Sequence, residues 1–115
     1  MKYALERAND LRNDLAAIFE FLVESYKAFG EDYDSAVERA ALRIQGIEGA
    51  MEALCDAPHQ GAVRADISPA LRAVTKDRAI FYADVDDKRR VLRVLAVFFG
   101  GQDHQRHMLR RLLGG

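Results

Sequence analysis

Two histidines stand three positions apart in the run Asp103-His104-Gln105-Arg106-His107, near the end of this 115-residue sequence. An imidazole titrates close to neutral pH and can take or give a proton. On a helix, an i, i+3 pair could also touch one metal ion, but a metal site needs three or four ligands. Cys55, the single cysteine, is not placed by the sequence to join them, so no metal and no cofactor is expected. Nor can a lone thiol form an internal disulfide, which suits a reducing cytoplasm. Cations are plentiful elsewhere: Arg64, Arg72, Lys76, Arg78 and Arg93 precede Arg106, Arg110 and Arg111, with Tyr82 among them. Phosphates reward clustered cations. The alternative for the histidines is structural: they cap the last strand, hydrogen-bond backbone and lie at an interface. That reading makes His104, Arg106, His107 and Arg110 a binding surface rather than an active site, with no catalytic residue assigned.

The elements that must hold these groups can be read from hydrophobic spacing. Asp10 can cap a helix whose apolar stripe is Leu11, Leu15, Ile18, Leu22 and Tyr26, widened by Phe19 and Phe29, with Gly30 as the stop. A second helix begins between Asp32 and Ser35 and carries Ala36, Ala40, Ile44, Ile47, Met51 and Leu54 toward Pro58, which ends it. The two form an antiparallel hairpin with a very short loop. Ahead of them, Lys2 to Arg7 alternates as a half-buried strand does. His59 to Pro69 reads as a loop. Leu71 to Lys76, Ala79 to Val85 and Val91 to Phe99 read as three strands, the last apolar on both faces apart from Arg93 and therefore central. Gln102 to Leu113 can form a short final helix. A helical hairpin must bury its stripe against the sheet, which predicts a two-layer α+β fold.

Size and charge set further bounds. Half of the residues are apolar, and 115 residues fit one domain, 1–115. No apolar run is long enough to span a membrane, and the N-terminus lacks a signal-like region, so a cytoplasmic protein is expected. The net charge of −1 hides an asymmetry. Residues 1–57 carry 6 Lys/Arg and 12 Asp/Glu, a balance of −6; residues 58–115 carry 11 and 6, a balance of +5. Such polarity suits a charged partner.

Local motifs carry a family resemblance. Pro58-His59-Gln60-Gly61 followed by Arg64-Ala65-Asp66-Ile67-Ser68-Pro69-Ala70-Leu71-Arg72 is similar to a ParE pattern of a proline–glycine loop and R-x-D-I-x-P-G-L-R, with Ala70 in place of the glycine. Ala79-Ile80-Phe81-Tyr82 looks like the I-F-Y strand of that family, and Val91-Leu92-Arg93-Val94-Leu95 like its I-x-R-V-L strand. The Phe-Phe-Gly-Gly-Gln-Asp-His ending looks like one variant of the family's H-x-x-R-D close. The order and spacing of these motifs, over nearly the whole chain, resemble the RelE/ParE toxin superfamily, ParE-like branch.

The resemblance implies a RelE/ParE-like fold: an N-terminal strand, an antiparallel helical hairpin, a three-stranded antiparallel meander and a short C-terminal helix. It implies the toxin of a type II toxin–antitoxin pair. The partner would be a ParD-like ribbon-helix-helix antitoxin in a heterotetramer or larger complex that meets operator DNA only through the antitoxin. ParE-like members poison DNA gyrase; RelE-like members cut mRNA on the ribosome, and a non-toxic partner-binding relative is a third possibility. RNA cleavage requires a base, cations and an acid converging on one sheet face. Tyr82 shares a strand face with Ile80 and reads as core, whereas Arg72 and Arg93 could lie on adjoining strands and face solvent or an acidic antitoxin segment. Gyrase poisoning requires only binding that favours one conformational state. For the antitoxin, Phe19, Leu22, Tyr26 and Phe29 offer an apolar surface, and Arg72, Lys76, Arg78 and Arg93 can meet an acidic stretch.

Overall fold

A computed structural model of the chain describes residues 2–100 and 110–111. In chain order it has β1 (Ala4–Arg7), α1 (Leu11–Ala28), α2 (Tyr33–Ala53), β2 (Ala62–Val63), β3 (Arg72–Lys76), β4 (Ala79–Asp86) and β5 (Val91–Phe99). The five strands make one sheet in the order β1-β5-β4-β3-β2. β1 runs parallel to β5, and every other pair is antiparallel. The α+β architecture is the expected one. The meander gains a fourth member, β2, inside the segment that reads as a loop. Arg110 and Arg111 are helical, and the other residues of the expected helix over Gln102 to Leu113 lie outside the described residues.

The helical hairpin forms for the reasons its sequence gives. On α1, Leu11, Ile18, Leu22 and Val23 are buried. Gly30 ends it at φ +99°, with its N–H on the Lys27 carbonyl and the Glu31 N–H on the Tyr26 carbonyl. That pair of bonds needs a left-handed residue, which glycine adopts without a Cβ clash. Asp32 then caps α2: its carboxylate accepts the Ser35 N–H at 2.8 Å, which holds the carboxyl below the usual range. Ala36 and Ala40, both fully buried, let α2 lie close to its neighbours while Ile47 and Met51 fill the space further along.

Two expected boundaries differ. Asp10 makes no side-chain cap, because its own backbone is helical (φ −74°, ψ −12°) rather than extended. α2 ends at Ala53, short of Pro58, and passes into a single tighter turn, Leu54–Asp56. That turn buries Leu54 and Cys55 and offers the Cys55 carbonyl to the Tyr3 N–H at 2.9 Å. Burial pushes the Cys55 thiol up, so it stays protonated and unreactive.

Most of the core lies between the helices and one sheet face, where Val74, Phe81, Leu92, Val94, Val97 and Phe99 meet α1 and α2. A smaller cluster of Leu71, Tyr82, Ala96 and Phe98 closes the far face. β5 is central over Val91–Val94, with β1 on one side and β4 on the other. The β4–β5 register pairs Ala83 with Val94 and Tyr82 with Ala96, which leaves Leu95 as an extra residue, a β-bulge. β1 stops pairing at Val94, so one edge of β5 has no strand beside it from Leu95 onward among the described residues.

Gly61 sits where the chain enters β2. Its φ is +80°, and a Cβ there would stand 2.3 Å from the Ala73 carbonyl oxygen on β3. Gly61→Ala is therefore expected to cost about 2 kcal/mol, from left-handed strain and forced strand separation, as measured by urea unfolding. Among the described residues, no helix is long and apolar enough to cross a membrane.

Candidate functional site

The hairpin leaves more aromatic surface than the sheet covers. Phe21 is 53% exposed and Phe29 is 90% exposed. Together with Leu22, Ser25, Tyr26 and Phe99 they line a groove of about 480 Å³ between α1, α2 and the end of β5. Single exposed apolar residues are ordinary, but a contiguous aromatic patch with a cationic rim marks an interface. Here the rim is Arg39, Arg43 and Arg78.

Each rim cation is held by the fold. Arg39 lies 4.2 Å above the centre of the Tyr26 ring and pairs with Glu31. Arg43 lies 5.3 Å above Phe99 and donates to the Asp77 carbonyl. Cation–π stacking of this kind occupies the guanidinium face and leaves its edge to acceptors, of which Glu31 and the Asp77 carbonyl already take part. Arg78 comes from the β3–β4 turn. Asp77 and Arg78 have φ of 49° and 67°, the left-handed pair that a two-residue hairpin requires. A residue other than glycine at that angle costs about 1 kcal/mol. The turn therefore carries its cation at the groove rim against local preference, and the Gly100 N–H secures it by donating to the Arg78 carbonyl.

The residues expected at an antitoxin surface fall into separate places. Leu22, Tyr26, Phe29 and Arg78 line the groove together. Phe19 packs against the core instead. Lys76 is exposed at the end of β3. Arg72 is half-buried and donates to the His59 carbonyl at 2.9 Å. Arg93 stands across the sheet, 3.4 Å from Glu6 on β1. Arg72 and Arg93 are not on adjoining strands, because β4 runs between β3 and β5. Their separation follows from the order of the meander, which puts its middle strand between the outer two. Of the target-facing candidates, Arg110 is exposed, and His104, Arg106 and His107 lie outside the described residues.

Arg39 and Arg43 escaped the sequence reading. Their signal was present, since an i, i+4 pair projects from one helix face, but it was masked by the acidic residues around them. Arg111, grouped with Arg106 and Arg110 as a cation suited to phosphates, points inward to Asp14.

Among the described residues, Arg64, Asp66 and Tyr82 meet one another, while Arg72 and Arg93 stand apart. Tyr82 is fully buried, and burial first of all raises its phenol pKa, so it stays protonated. Arg64 is tied to Asp66 by two hydrogen bonds. One histidine does have a carboxylate partner: His59 Nε2 and the Tyr3 hydroxyl both meet Asp87 Oδ1 at 2.7 Å, which holds that carboxyl low. His59 and Asp87 are exposed and Tyr3 is half-buried against the core, and together they tie the N-terminal segment to two loops. No group of three potential metal ligands occurs among the described residues.

No protein-family model matches the sequence, and no curated protein matches it. Solved structures do. The chain is similar to a member of the chromosomal ParDE toxin–antitoxin system from P. aeruginosa, with 20% identity, a TM-score of 0.65, and 86% of this chain and 97% of that chain covered. It is similar to a mutant of the E. coli toxin RelE in the free state, with 9% identity, a TM-score of 0.60 and coverage of 98% and 99%. A third likeness is to the toxin–antitoxin complex RelBE2 from Mycobacterium tuberculosis, with 14% identity, a TM-score of 0.51 and coverage of 86% and 99%. The chain has the RelE/ParE toxin fold.

Proposed function

We propose that this chain, with its RelE/ParE toxin fold, is the toxin of a type II toxin–antitoxin pair. Its partner is a ParD-like ribbon-helix-helix antitoxin, and its target is DNA gyrase. The observation that carries the reading is the aromatic groove with its rim of Arg39, Arg43 and Arg78. An amphipathic antitoxin arm lying there as a helix would cover Phe21, Tyr26 and Phe29 and set acidic residues against the rim. Two such toxins per antitoxin dimer make a heterotetramer or larger assembly, and operator DNA is met through the antitoxin alone.

Gyrase is favoured over RNA cleavage by what the sheet lacks. Arg72 and Arg93 are separated by β4 and already engaged, and Tyr82 is buried. Poisoning needs only selective binding to one state of the enzyme. His104, Arg106, His107 and Arg110 are the proposed contacts.

Two tests follow. Induced expression of the chain should arrest bacterial growth, and co-expression of the short open reading frame beside its gene should relieve the arrest. Unimpaired growth at full expression of folded protein would remove the toxin reading. Within the complex, the double charge reversal Arg43→Glu/Arg78→Glu should weaken antitoxin binding roughly tenfold or more in calorimetry, and Arg93→Glu by much less, because Arg93 stands on the opposite sheet face. Equal losses would place the arm elsewhere.

A further inference from the structure

Asp14 is the one buried charged residue among those described, with its side chain 7% exposed. It projects from α1 toward the edge of β5 that β1 leaves uncovered. There its Oδ2 accepts the Val97 N–H at 3.1 Å. Arg111 completes the arrangement: Nη1 reaches Oδ2 at 2.9 Å and Nη2 reaches Oδ1 at 2.6 Å. The same Nη1 also donates to the Leu95 carbonyl at 3.1 Å. Asp10 Oδ2 lies 3.5 Å from Nε, and the guanidinium carbon lies 5.8 Å from the centre of the Phe98 ring.

All of these acceptors belong to rigid elements. One carboxylate, Asp14, comes from α1, and the other, Asp10, is the N-cap residue four positions earlier, with a helical backbone. The carbonyl is that of the bulge residue Leu95, which the register shift leaves out of the β4–β5 pairing. The ring comes from β5. A planar fork holds the two carboxylate oxygens through two separate nitrogens and still reaches the carbonyl; an ammonium must serve all three acceptors from one atom and cannot reproduce that bidentate geometry.

The geometry points to a guanidinium-recognition site formed by Asp14, Asp10, the Leu95 carbonyl and Phe98. Arg111 fills it from the same chain, and an arginine side chain supplied by another molecule can fill it in Arg111's place. The site is independent of the toxin reading. An arginine brought by a partner would meet the charge of Asp14 and the stretch of β5 that β1 does not pair.

Chemical rescue tests this directly. Arg111→Ala should lower the melting temperature by roughly 5–10 °C, because a buried carboxylate loses its counter-charge. Millimolar ethylguanidinium should restore several degrees of that loss, saturably, while ethylammonium at the same concentration does not. Neither compound should shift the wild-type chain, and Asp14→Asn/Arg111→Ala should not respond. If Arg111→Ala does not fold unaided, ethylguanidinium in the refolding mixture should recover soluble protein. Absence of rescue in the melt, or in refolding where that is the assay used, would overturn the assignment, as would equal rescue by ethylammonium.

Discussion

Truncating the two exposed groove aromatics, Phe21→Ala with Phe29→Ala, is expected to weaken antitoxin binding about a hundredfold, or about 2.7 kcal/mol. Aromatic anchors that become fully desolvated in a complex carry much of its affinity. In the free chain these rings are more than half exposed, and Phe21 meets Phe99 in a tilted contact at 6.2 Å between ring centres. Their removal should therefore leave stability nearly unchanged, so that a calorimetric loss reports binding rather than unfolding. The cationic rim makes a second contribution that the truncation spares. Salt should weaken the remaining affinity, since exposed charges are screened over about 8 Å at physiological ionic strength. An affinity within a factor of three of the parent would exclude the groove as the arm's seat.

Asp14→Ala is expected to lower the unfolding free energy by about 2–3 kcal/mol in urea titrations. The change strands the Val97 N–H and removes the bidentate partner of the Arg111 guanidinium, which keeps the Leu95 carbonyl and the looser Asp10 contact among the described residues. Arg111 is a quarter exposed, so water can reach part of it, and the loss should sit at the lower end for a broken buried pair. Asp14→Asn keeps an acceptor for Val97 and should cost less than Asp14→Ala. A loss below about 1 kcal/mol for Asp14→Ala would mean that Arg111 does not hold its buried position in solution.

What the sequence revealed, and what it hid, follows from the range of each interaction. The helical hairpin is legible because its causes are local: the stripe from Leu11 to Tyr26, the stop at Gly30 and the cap at Asp32 all act within a turn or two. The three long strands are legible because their apolar runs are local too. β2 was missed because two residues carry no period. Pro58 signals the latest point at which α2 can end, but burial of Leu54 and Cys55 beneath the sheet ends it sooner.

The candidate site was half legible. Leu22, Tyr26 and Phe29 stand out as surplus aromatics and apolar groups on one helix. Their cationic companions come from α2 and from a hairpin turn, which only the folded chain brings together. The same limit explains Asp10 and Asp14. Each reads as an N-terminal helix acid, whose usual partners are first-turn amides, yet both face an arginine about a hundred positions away. Arg72 and Arg93 fail in the opposite sense: sequence order suggests neighbours, and β4 keeps them apart.

The central claim is tested most directly with purified chain and DNA gyrase, in supercoiling and cleavage assays, with translating ribosomes and their mRNA assayed alongside. The account predicts inhibited supercoiling, trapped cleaved DNA and intact mRNA. Unaffected gyrase together with cut mRNA would contradict it, and would move the active chemistry to residues that this reading treats as binding contacts.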